Sequence, residues 1–319
     1  MYYIKVNVLK PRRFVGHKFN IFCIILSMDT MSKFYLKFNT EFANGRPEAF
    51  SAFHLTFLAT FLILGIILCV ALRNRKEWTV KLTIGLLFFI IVFMELLKQM
   101  LWAGKAVKNT AGEYKWKWDY HQNLYPVVIC SLPLYFVPLY LFLRKKTKFK
   151  EIITDFLAYI TIYGGAFIMI FWPGDVFHEV ILISIHTMMY HGCMLAIGMI
   201  LVVNNWAKYK KGMFIVNSFV IFTILWSLAV IGNEIVYQTA KNNLEWFPNY
   251  LPDFFLMSHR QEISFVKMFE NILHINGSKN YYVATLLYLI FNFVLGYAIH
   301  GIFWFIGWIT RVCENKYKK

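Results

Sequence analysis

Long apolar runs alternate along this chain with short polar loops, most of them basic. The runs lie at about 52–72, 80–101, 122–143, 152–172, 179–203, 213–233 and 282–311. Each reaches or approaches the roughly 20 residues a helix needs to cross a bilayer core. The pattern predicts an all-α polytopic membrane protein, a bundle of about seven transmembrane helices. The last run is long enough to tilt or to extend beyond the bilayer. Residues 1–51 form an N-terminal arm, 52–311 the membrane domain, and 312–319 a short tail. One long extracytoplasmic loop, 234–281, separates the last two runs. No internal repeat is visible.

The arm admits several readings. Residues 1–18 are basic and Phe19 to Leu26 is a short, mostly apolar stretch, superficially like a signal peptide. "SMDTMSKF" follows in place of a small-residue cleavage site, and its two methionines, Met28 and Met31, allow a later start. A surface-lying arm is the third reading, and the segment is not counted as a span. The long loop carries Trp246, Phe247, Phe254 and Phe255, candidates for an aromatic lid. Within it "ISFVKMFENILHI" sets Ile263, Val266, Phe269 or Ile272, and Leu273 near one helical face. That predicts an amphipathic helix, lying in the outer interface or packed over the bundle mouth.

Composition supports the membrane class. Hydrophobic residues make up 59% of the chain and charged ones 16%, well below the charge of a typical soluble domain. The net charge of +16 sits in short runs between apolar stretches. It fits membrane topology and contact with anionic lipid, and no nucleic-acid-binding motif accompanies it. Membrane phospholipids are the expected partners; the sequence names no protein partner. Five widely spaced cysteines without a C-x-x-C indicate neither a disulfide framework nor a zinc site, and no metal or cofactor is expected. The first, third and fifth loops and the tail are basic, while "WPGDVFHE" has no Lys or Arg. By the positive-inside rule the chain sits in the cell membrane with its N-terminus outside and its C-terminus cytoplasmic. The basic arm and the second loop, with Lys105, Lys108, Lys115 and Lys117, run against this assignment.

Ionisable groups inside membrane helices are costly and are functional candidates by default. With this topology most polar groups near the spans fall in the outer half: His54, Glu95, His121, Cys130, His186, His191 and Asn233. They suggest an outward-opening pocket. For His54, His121 and Asn233 an interfacial position explains as much, and Lys98 or Gln99 can satisfy Glu95 within its own helix. A membrane cysteine is usually an apolar filler. A Cys–His pair at similar depth, however, makes a nucleophile, the imidazole taking the thiol proton. His186 and His191 lie about 140° apart around a helix, so at most one of them meets Cys130. Pro126, Pro133 and Pro138 surround Cys130, and unwound backbone at such depth is tolerated where it lines a cavity. Gly164, Gly165 and Ala166 read as close helix packing. Asp155 reads as a partner of its helix's N-terminal dipole.

At Cys130 and His191 the sequence resembles the YwaF-like bacterial integral membrane proteins, related to eukaryotic transmembrane protein 164. The family's third-helix pattern, roughly Leu-Pro-Leu-His-Leu-Cys, is met by Tyr125-Pro126-Val127-Val128-Ile129-Cys130. Proline and cysteine match, and Val128 occupies the histidine slot. His191-Gly192 matches the family's fifth-helix His-Gly, Gly232-Asn233 part of its sixth-helix end, and His54 a first-helix histidine. The resemblance covers about residues 50–233 and the last helix. It implies acyl transfer between phospholipids through a cysteine. On that reading Cys130 is the nucleophile and His191 its base, with Glu95, His121, His186, Asn233 and His54 supporting or binding. The alternatives are a transporter or ligand-binding membrane protein without catalysis, or a structural subunit of a larger complex.

Overall fold

The computed structural model describes residues 28–118, 128–143, 147–171, 173, 176–207, 213–242, 254–257 and 281–317. Phe19–Leu26, Pro126, His121, Trp246, Phe247 and the 263–273 amphipathic stretch lie outside the described residues. Helix α1 is Met28–Phe38, α2 Ala52–Ala71 and α3 Glu77–Trp102. A hairpin of β1, Gly104–Lys108, and β2, Tyr114–Trp118, comes next. After it come a 3-10 turn at Ile129–Ser131, then α4 at Pro133–Phe142 and α5 at Lys148–Ala166. A π-helical turn at Phe167–Phe171 extends α5. Helices α6, Ile181–Val203, α7, Met213–Asn242, and α8, Tyr281–Tyr317, complete the fold, with a 3-10 turn at Phe254–Leu256 before α8.

The fold is an all-α bundle, and six of its helices are long and apolar enough to cross a membrane. Their arrangement follows from their composition. The most apolar, such as α2, α3 and α7, lie outside: only 22 to 39% of the apolar stretch is buried in the four peripheral helices, α8 included. The less apolar α5 and α6 form the centre, with 89% buried. A lipid-facing helix must be apolar all round, whereas a central one tolerates polar side chains that find partners in the protein. Glycines allow the two central helices to touch. A Cβ on Gly165 would overlap the Leu195 backbone, and one on Gly198 the Ile162 backbone. The packing role expected of the Gly164–Ala166 stretch is therefore present, as in other small-residue membrane interfaces.

Three sequence expectations change. The run at 122–143 contains a 14-residue helical stretch, Ile129–Phe142, rather than one long helix among the described residues. At 1.5 Å per residue it reaches about 21 Å, short of a 30 Å hydrocarbon core. Pro133 is the first residue of α4, where its missing N–H costs nothing, so it starts the helix rather than kinking it. Asp155 is not at a helix start either. The N-cap of α5 is Thr147, whose side chain accepts from the Lys150 N–H, and Asp155 lies buried two turns further on. Finally, the second loop is a β-hairpin. Its Trp116 is buried against Met31 of α1 and Ala103, so the arm's described helix lies on the hairpin and caps one end of the bundle.

His54 shows how that end is held. It is fully buried; its Nδ1 accepts from the Phe50 N–H at 3.0 Å, and its Nε2–H donates to the Met169 carbonyl at 2.9 Å. Met169 lies in the π turn, where wider winding displaces carbonyls from their usual α-helical partners. His54→Ala strands that carbonyl and is expected to lower stability by about 2 kcal/mol, read as a drop in melting temperature of the detergent-solubilised protein.

Candidate functional site

The site begins at Glu95. It sits near the hairpin end of α3, 6% exposed, and the helical repeat puts Lys98 and Gln99 beside it. Lys98 Nζ pairs with Glu95 Oε1 at 2.7 Å, and Gln99 Nε2 donates to the same oxygen at 2.7 Å. The other oxygen, Oε2, takes His186 Nε2 of α6 at 3.2 Å. Lys98 and His186 are buried as well. A carboxylate held by an ammonium is an acceptor only, so Nε2 carries the imidazole proton and Nδ1 holds the lone pair. Glu95 thus fixes the tautomer of His186, the relation that makes a histidine a directed base.

Cys130 stands next to this cluster. Among the described residues, Glu95 and Lys98 lie close enough for their charges to act on its thiol. The extended Val128 and the 3-10 turn from Ile129 to Ser131 lead into Pro133, and this break places Cys130 at the start of a short helix. The turn also exposes one side of the residue: Cys130 is partly exposed, while Cys69 and Cys193 are buried. Cys130 lines an apolar cavity of about 120 Å³ with Val128, Tyr163, Gly164, Phe255 and Asn292 among its walls. That is smaller than the roughly 300–1,000 Å³ of a drug-sized site, so it admits a segment of a lipid rather than a whole one. The thiol therefore has an ionic cluster nearby and an apolar cavity before it.

The remaining predicted residues fall into two groups. His191 is buried, but its Nδ1 bonds the Thr187 carbonyl at 2.8 Å and its Nε2 has no hydrogen-bond partner. The structure thus joins His186, not His191, to the ionic cluster. The next residue, Gly192, packs against Phe61 of α2, on another side of α6. Asn233 grips the Phe254–Leu256 turn: its Nδ2 donates to the Phe254 carbonyl at 2.8 Å and its Oδ1 accepts the Phe254 N–H at 2.9 Å. This holds Phe255, at φ 55°, as one wall of the cavity. Left-handed backbone is uncommon for a bulky residue and persists only when its surroundings enforce it. His54 belongs to the packing described above.

Sequence reasoning missed Tyr163 and Asn292 as cavity walls. Tyr163 OH donates to Asn292 Oδ1 at 2.5 Å, and Asn292 Nδ2 donates to the Tyr288 carbonyl at 2.7 Å. The signal was a lone asparagine in the apolar run "YLIFNFVLG". Tyr190 was missed too; its hydroxyl lies beside Ser131, outside hydrogen-bond geometry. Among the described residues, no three His, Cys, Asp or Glu side chains are grouped to hold a metal ion. No family model, no curated protein and no solved structure matches the chain.

Proposed function

We propose that this membrane protein transfers acyl chains between membrane phospholipids through Cys130. The observation that carries the reading is the position of Cys130 between an apolar cavity and the Glu95–Lys98–His186 cluster. His186 Nδ1 takes the thiol proton. The thiolate attacks an ester carbonyl, a C–S bond forms, and the ester C–O bond breaks. The departing alkoxide recovers the proton from the imidazolium. A lysophospholipid hydroxyl then attacks the thioester with His186 as base, and Cys130 is regenerated. Lys98 supplies positive charge near the developing anions. The resemblance to the YwaF-like proteins supports the same chemistry, with His186 in place of His191 as the base. Orientation belongs to the proposal. The end carrying Arg73, Arg75, Lys76 and Lys148 faces the cytoplasm, and the capped end, with Cys130, faces the outer leaflet.

The test is transfer of a labelled acyl chain from phospholipid to lysophospholipid by the purified protein. His186→Ala is expected to lose about 10²-fold or more, the usual contribution of a general base, and His191→Ala less than about threefold. No transfer by the wild type, or a larger loss in His191→Ala, rejects the reading.

A further inference from the structure

The hairpin that follows α3 has two faces of different character. Residues paired across a ladder share a face, and the register sets Lys105 opposite Lys117 and Val107 opposite Lys115. These four form the outer face, and all of them are exposed. The inner face carries Trp116, buried against Met31 of α1 and Ala103, with the Tyr35 ring edge-on at 5.9 Å. A two-stranded ribbon is marginal on its own, so Trp116 is the anchor that holds the hairpin and fixes which way its lysines point.

Strand β2, Tyr-Lys-Trp-Lys-Trp, pairs only with β1 among the described residues, so its other edge is open. Its two lysines leave that edge on the outer face. Lys105 across the ladder makes an interaction of its own, but Lys115 and Lys117 have no carboxylate partner among the described residues. The hairpin's one carboxylate, Glu113, lies at the turn and accepts from Asn109 Nδ2 at 3.2 Å. In the proposed orientation the hairpin lies outside, where the positive-inside rule gives no reason for lysines. On the inner side of the same edge, Tyr114 is 49% exposed and Trp118 50%. Tyr and Trp are favoured where a bilayer meets water, and lysine stems reach from apolar surroundings to headgroups. A polyanion in solution gains nothing from the exposed rings, which favours a lipid surface. The hairpin also begins two residues after α3 ends at Trp102, so it stands where that span leaves the membrane.

We propose that β2 binds anionic phospholipid, lying by its open edge along the headgroups of the leaflet at the capped end of the bundle. Lys115 and Lys117 meet the phosphate groups, and Tyr114 and Trp118 seat at the interface beside them. The unpaired N–H groups of an edge strand are further donors to phosphate oxygens. The surface collects lipid of net negative charge at the end of α3 that carries Glu95.

The experiment equilibrates the full-length protein with mixed micelles of phosphatidylglycerol and phosphatidylcholine and reads the retained lipid by native mass spectrometry. Wild type is expected to keep phosphatidylglycerol in preference. Lys115→Gln with Lys117→Gln is expected to weaken that retention about fivefold per lysine. The melting temperature should stay that of wild type, because both side chains are exposed. Lys115→Arg with Lys117→Arg is expected to keep the preference, and high salt to release the lipid from wild type. A heparin fragment, a polyanion without acyl chains, is expected to bind more weakly than phosphatidylglycerol. Equal retention of the two lipids by wild type overturns the proposal, as does wild-type retention in the glutamine variant. Tighter binding of the heparin fragment, lost in the same variant, assigns the surface to a solution polyanion and also overturns it. None of these arms depends on Cys130, so they stand apart from the acyl-transfer reading.

Discussion

Cys130→Ala is expected to reduce acyl transfer to background, a loss of about 10³-fold or more, while leaving the melting temperature within a few degrees of wild type. The thiol is the only group in the proposed chemistry that bonds to the acyl carbon, and no neighbour can substitute for it. Ser131, the adjacent hydroxyl, is buried. Cys130 is itself only partly buried, and removing one sulfur there opens little new space. Cys193→Ala and Cys69→Ala provide the contrast. Both thiols are buried in the apolar core, so these changes cost stability and spare transfer. A thiol-directed lipid-like reagent is expected to label Cys130 ahead of both.

Glu95→Ala is expected to cost about 3–5 kcal/mol, the largest single-residue effect on stability, because it leaves the Lys98 ammonium buried without its carboxylate. His186 loses its fixed tautomer in the same step, so transfer fails as well. A double variant separates the two effects. Glu95→Leu with Lys98→Met replaces the ion pair by apolar groups of similar volume, which is often neutral or stabilising. Its melting temperature is expected to return close to that of wild type while transfer stays lost. Recovery of both together would assign the cluster to packing rather than chemistry.

Much of the fold was legible because a membrane imposes it. Runs of apolar residues between basic loops define spans, and the helices of the bundle start and end within a few residues of those runs except at α4, which begins only at Pro133, at α7, which continues past 233 to Asn242, and at α8, which continues past 311 to Tyr317. The hairpin was not legible. Lysines at 105, 108, 115 and 117 obscure its strand alternation, and its one buried aromatic, Trp116, has its partner far away in sequence at Met31. The candidate site was legible in its parts. A carboxylate, two histidines and a cysteine stood out as expensive residues in apolar runs. Which histidine meets the carboxylate depends on how α6 is rotated against α3. Helical spacing shows that His186 and His191 point apart, but only packing decides between them. Phe255 and Asn292 were harder still, because the cavity they wall is assembled from segments more than a hundred residues apart.

The central claim is that Cys130 carries an acyl group. Intact-protein mass spectrometry after brief incubation with a phospholipid of a single acyl chain tests it most directly. The account predicts a mass gain of one acyl group less one hydrogen, located on the peptide containing Cys130 and removed by neutral hydroxylamine. The gain should be absent from Cys130→Ala and much slower to appear in His186→Ala. An unmodified protein under conditions where the labelled lipid is turned over, or an adduct on another residue that persists in Cys130→Ala, contradicts it.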